Sequence, residues 1–174
     1  TLNLGRGNTL TFGIGYEHRA PQARTAFASP EINNDFVVNL KNERVFSTEL
    51  GYQLQNSWLH ANINAYYSRL TTVTDWQNYY FDDINSFSYV SLTGIKKEYY
   101  GVEAGLKFKV TSALDVKLIG TISEAKILEN SKVRYMNSTS AQYGDDIVYN
   151  KDMRDSGTPL TAASLGVSYH QGGW

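Results

Sequence analysis

Between Tyr99 and Ser123 the chain alternates most plainly. Tyr100, Val102, Ala104, Leu106, Phe108 and Val110 take one parity, while Tyr99, Gly101, Glu103, Gly105, Lys107 and Lys109 take the other. After Thr111-Ser112-Ala113 the pattern resumes, with Leu114, Val116, Leu118, Gly120 and Ile122 on the apolar side and Asp115, Lys117, Ile119, Thr121 and Ser123 opposite. Period two marks a strand, because successive side chains leave opposite faces. The pair predicts a β-hairpin with a tight turn. Each arm holds about eleven alternating residues, more than the five or six usual in a soluble sheet and close to the roughly 9–11 tilted residues that cross a bilayer. An apolar face that admits Ala104 and Gly120 suits lipid, and charges with glycines on the other face suit a wet or plugged interior.

The same signal recurs elsewhere. Residues 9–18 set Leu10, Phe12, Ile14 and Tyr16 against Thr11, Gly13, Gly15 and Glu17; residues 45–54 set Phe46, Leu50, Tyr52 and Leu54 against Ser47, Glu49, Gly51 and Gln53. Residues 58–69 place Leu59, Ala61, Ile63, Ala65 and Tyr67 opposite His60, Asn62, Asn64, Tyr66 and Ser68, and residues 160–169 place Ala163, Leu165, Val167 and Tyr169 opposite Ala162, Ser164, Gly166 and Ser168. Residues 89–98 extend the fourth strand, with Gly94-Ile95-Lys96-Lys97 breaking its register as a bulge would. The fifth strand is expected to run on past Glu124 as a stalk. Residues 20–41, 75–88 and 137–159 lose the alternation and fill with Pro, Asn, Asp, Ser and scattered charge, which predicts three long loops.

These loops are sorted. Short connections at 5–8, 55–57, 111–113 and 171–173 alternate strictly with the long ones, an order that a soluble sandwich has no reason to keep. A transmembrane barrel does, with short turns on one side of the membrane and long loops on the other. Trp58 and Trp174 begin strands just after short turns, where a periplasmic aromatic girdle is expected. Six strands leave roughly 29 residues for each, whereas a barrel of about eight, the lower bound of its class, needs nearer 22. The expected fold is therefore all-β: an antiparallel up-and-down meander of about six long strands, forming an arc of a larger barrel. Thr1-Leu2-Asn3-Leu4 reads as the end of a strand and Gly172-Gly173-Trp174 as a turn entering another. Both ends are expected to lie inside a longer protein, with no signal peptide in this stretch.

Composition narrows the chemistry. The 174 residues include no cysteine, which excludes disulfides and thiolate metal sites. A net charge of −1 removes the basic signal of a nucleic-acid binder. Thirteen tyrosines against seven phenylalanines fit strands whose rings meet a wet boundary. A mean hydropathy of −0.40 is compatible with a membrane barrel, since half of each spanning strand and all loops are polar.

No catalytic constellation stands out. His18, His60 and His170 fall on different strands, with no third ligand at metal spacing beside His60 and His170, so neither a metal site nor a cofactor is expected. Gly13-Ile14-Gly15 lies within a strand and lacks the helix of a dinucleotide fingerprint. Glu49, Glu103, Lys107, Lys109, Asp115 and Lys117 share the inner parity; paired carboxylates can do acid/base work, but interleaved lysines favour ion pairs with one another or with a plug. With His60, Asn62 and Asn64 they make the expected lumen-facing set. Trp76, Tyr79, Tyr80 and Phe81, in the second long loop, are the candidates for ligand contact, because aromatic faces stack on sugars or planar chelates. Asn137-Ser138-Thr139 matches a glycosylation acceptor and is read as coincidence.

Several segments resemble the barrel of TonB-dependent outer-membrane receptors, particularly the Bacteroidetes type. They are Asn42-Glu43-Arg44 leading into Glu49-Leu50-Gly51-Tyr52-Gln53-Leu54, Trp58 followed by Ala65-Tyr66-Tyr67, Tyr100-Gly101-Val102-Glu103-Ala104-Gly105 with Thr111-Ser112-Ala113-Leu114, and Gly157-Thr158-Pro159 with Ala162-Ala163-Ser164-Leu165-Gly166-Val167-Ser168-Tyr169. The resemblance implies a barrel of about 22 strands in outer-membrane lipid, closed by a plug domain outside this chain. It implies import of a scarce small-molecule nutrient, such as a siderophore or oligosaccharide, driven by the TonB complex through the plug, and no enzymatic activity. Two other readings fit the alternation: a small structural or adhesive outer-membrane barrel, and a secreted carbohydrate-binding β-sandwich.

Overall fold

A computed structural model describes residues 1–28, 34–82, 85–137, 142–155, 157 and 160–170. Its strands are β1 (Leu2–Gly5), β2 (Asn8–Arg19), β3 (Glu43–Gln55), β4 (Leu59–Phe81), β5 (Ser86–Lys109), β6 (Leu114–Ile127), β7 (Ser131–Asn137), β8 (Gln142–Val148) and β9 (Thr161–Tyr169), with a 3-10 turn at Ala23–Ala26. They form one antiparallel sheet in the order β1-β2-β3-β4-β5-β6-β9, while β7 pairs with β5 and with β8. The sheet is an open meander, an arc with β1 and β9 at its edges.

Register turns the alternation into two faces. Phe12, Leu50, Ala65, Val102 and Ile122 stand in one row across five strands, and Leu54, Ala61, Leu106, Leu118 and Leu165 in another. The expected hairpin is present, paired from Lys97↔Ile127 down to Lys109↔Asp115. Its turn closes by a Val110 N–H to Leu114 carbonyl bond of 2.9 Å. The turn between β1 and β2 runs through Gly5, Arg6 and Gly7, all at positive φ. A Cβ on Gly7 would sit 1.8 Å from the Gln55 carbonyl oxygen, so only glycine lets these two short turns lie side by side.

At the opposite end the structure departs from the sequence reading. Residues 75–88, expected as a loop, continue β4 and β5 as a paired blade from Asp75↔Leu92 to Phe81↔Ser86. Trp76, Tyr79, Tyr80 and Val90 are strong strand formers, and the neighbouring Asp and Asn residues mask that preference in the sequence. The register slips between Leu70 and Asp75, opposite Gly94 at φ 69°, which is the bulge expected near Gly94. Residues 137–159, also expected as a loop, contain β8, whose Gly144 lies under the Tyr135 ring at a distance that leaves no room for a Cβ. Paired with Lys97, Glu98 and Tyr99 of β5, β6 runs on past Glu124 to Ile127 as a short stalk. Residues 152–155 lie along its upper edge, with the Ile127 N–H donating to the Met153 carbonyl at 2.9 Å and the Asp155 N–H to the Ala125 carbonyl at 2.9 Å.

The buried core sits in this crown: Val73, Val90, Leu92, Ile95 and Val133, flanked by Leu70, Ile127, Tyr135 and Val148. Below it most of the apolar face is open, with Phe12 62%, Ile122 70% and Leu165 67% exposed, while the small Ala61 is buried between its neighbours. Wall and crown meet at Glu43, which is buried. Its carboxylate accepts from the Arg19 guanidinium and, at 3.3 Å, from the buried Thr74 N–H beside the bulge. Glu43→Ala leaves that amide without its acceptor, and the expected cost is about 2 kcal/mol, read as a lowered thermal unfolding midpoint. Glu43→Gln, which keeps a carbonyl oxygen, should lose less; an unchanged midpoint for Glu43→Ala would show that the bond contributes nothing.

Candidate functional site

The polar face is built in rows by the same ladder. His60, Lys107 and Lys117 form one row across β4, β5 and β6; Asn62, Gly105 and Ile119 form the next, then Asn64, Glu103 and Thr121. His60, Asn62, Glu103, Lys107 and Lys117 line one open groove of about 450 Å³. Gly105 makes its floor, since a Cβ there would meet the Asn62 Oδ1 at 2.5 Å. Lys109 faces Asp115 in register, but the Asp115 carboxylate reaches Lys107 Nζ at 3.0 Å. Glu49 stands apart on β3, its side chain lying over Gly13 of β2. The inner-parity residues thus share one face, and the groove gathers five of them.

On the other face, Trp58 precedes β4 and stacks on Phe108 with ring centroids 6.4 Å apart. The Lys109 N–H donates to its carbonyl at 2.8 Å, so Trp58 is pinned beside the short turns. Trp174, its expected companion, lies outside the described residues.

The loop aromatics are divided by the blade. Trp76 is half-buried with the Arg24 guanidinium 3.9 Å from its ring centroid, so that ring face is already covered from within the chain. Tyr79 and Tyr80 remain exposed, and as neighbours on a strand they point to opposite faces. Partial burial, and then the Asp75 carboxylate, push the Tyr79 phenol up from its usual range, keeping it a neutral donor. The Tyr80 hydroxyl donates to Asn85. The Phe81 side chain lies outside what is described.

The model of the family described as TonB dependent receptor-like, beta-barrel matches residues 3–174. This chain belongs to that family. Among solved structures, the copper transporter OprC superposes with a TM-score of 0.60 at 15% identity, over 92% of this chain and 28% of the OprC chain. That likeness carries the fold alone, and the receptor-barrel chain spans 28% of the length of this solved structure. No curated protein matches it.

What the sequence of this TonB-dependent receptor barrel concealed is how its long loops join. The buried Ser91 hydroxyl of the blade donates to the Thr25 carbonyl at 3.2 Å, while Phe27 and Phe36 stack at 5.3 Å within the first loop. The Tyr143 hydroxyl of β8 donates to Asp35 at 2.5 Å. Arg24 meets Trp76 across 52 residues, and a cation with an aromatic at that separation gives no local pattern. Arg24→Ala should loosen the first loop from the blade and raise chymotryptic cleavage after Phe27 about threefold. An unchanged rate would mean that Arg24 does not hold the loop.

Proposed function

We propose that the chain is a wall segment of an outer-membrane transporter that imports a scarce small molecule using energy delivered by the TonB complex. In this reading the apolar rows face acyl chains, and the polar face lines the solute path around a plug domain encoded outside residues 1–174. The remaining strands of a barrel of about 22 continue from β1 and β9. No bond is made or broken by the wall; its task is to seal, to insulate and to guide.

One observation carries the reading: in a sheet from a receptor-barrel family, apolar residues align in two rows of five strands each, and all of them but Ala61 stay at least partly uncovered. A contiguous apolar surface of this extent marks contact with lipid or with a partner. A two-layered sandwich would cover it. Tyr79 and Tyr80 then stand where a solute arrives, and siderophores or oligosaccharides offer the planar or ring surfaces they could stack on. Trp58, with Trp174 beyond the described part, would mark the periplasmic interface.

The absence of native cysteine makes the test clean within this segment. Single cysteines at Ile63, Leu106 and Val167 of the receptor in its membrane should resist a water-soluble maleimide, and cysteines at Asn62 and Glu103 should react once the periplasmic side is opened. Equal reaction of both sets would overturn the membrane orientation.

A further inference from the structure

The wall carries a meeting of like charge that its stability does not require. In the row His60, Lys107 and Lys117, the two lysines are directly opposed across β5 and β6. Cations so placed repel, and the row nearer the turn shows the ordinary alternative, Lys109 facing Asp115. Asp115 turns to Lys107 at 3.0 Å. Among the described residues no carboxylate lies within ion-pair distance of Lys117. Both ammonium groups border the 450 Å³ groove, and so do the Asn62 amide and the His60 imidazole. Gly105 lets the Asn62 amide lie across the strand beside them, where a Cβ would meet its Oδ1 at 2.5 Å.

We propose that the row His60, Lys107 and Lys117, with Asn62 beside it, is a carboxylate-binding site on the inner wall. Two ammonium groups offer charge-assisted bonds to both oxygens of one carboxylate, and the amide supplies a neutral donor. Glu103 lines the same groove but lies two rows along β5 from Lys107, beyond the Asn62 row, which leaves the Lys117 end as the cationic part of the site. The source is either an aspartate or glutamate of polypeptide packed against the wall or a free carboxylated solute. This deepens the wall reading and rests on it in one respect, that the polar face is turned away from lipid.

The test uses the whole receptor in outer-membrane vesicles opened to solvent. A water-soluble carbodiimide should join Lys107 or Lys117 to a carboxylate outside residues 1–174, identified by peptide mass, if the source is polypeptide. If the source is a solute, added succinate should slow acetylation of Lys107 and Lys117 relative to exposed Lys41, and Lys117→Gln should weaken that protection of Lys107 about tenfold. Either result supports the site and names its source. Linkage to Asp115 alone, together with acetylation indifferent to succinate, overturns it. The maleimide pattern at Ile63 and Val167 reports the membrane orientation separately, so the two failures can be told apart.

Discussion

Everything in this molecule depends on strand register. A slip of one residue in any ladder would move every side chain of that strand to the opposite face. Because the ladders share one phase, Phe12, Leu50, Ala65, Val102 and Ile122 meet in a row while Gly51, Asn64, Glu103 and Thr121 meet behind them. The short turns hold that phase. Gly7 tucked against Gln55 fixes the relation of two neighbouring turns, and the Val110 to Leu114 bond fixes a third. Under the proposed membrane orientation the same ladders are also what satisfies the backbone inside hydrocarbon.

Wall and crown are stabilised by different physics. In the wall each strand buries little against protein, and its apolar side is left for an outside phase. The crown is a small conventional core, where Val90 and Ile95 are fully enclosed and the blade, β7 and the first loop supply the cover. Glu43 stands at the join, where the ladder slips and a backbone amide would otherwise lose its acceptor. Ion pairs gather at the same level: Lys97 with Asp155 at 3.1 Å and Lys126 with Glu98 at 3.2 Å.

The wall was legible in the sequence because its information is local. Alternation from residue 9 to 18, 45 to 54 and 99 to 123 names the strands, their faces and the short turns, and the observed pairings keep those parities. The crown was not, because its information is distant. Residues 75–88 and 142–148 carry Asp, Asn and Gly that read as loop, yet they pair because partners such as Ser91, Val133 and Tyr135 arrive from elsewhere in the chain. The candidate site divides in the same way. Period two alone put His60, Lys107 and Lys117 on one face, but only the register sets them side by side, and only the packing shows that Arg24 occupies Trp76.

The bond between Tyr143 and Asp35 joins positions 108 residues apart. Its geometry depends on the phase of the intervening hairpins, since β7 and β8 are placed beside the first loop by way of β5. A strand added one residue out of step would carry the two groups away from each other. The crown thus ties the first loop to the third through a geometry that a single registration of the wall satisfies.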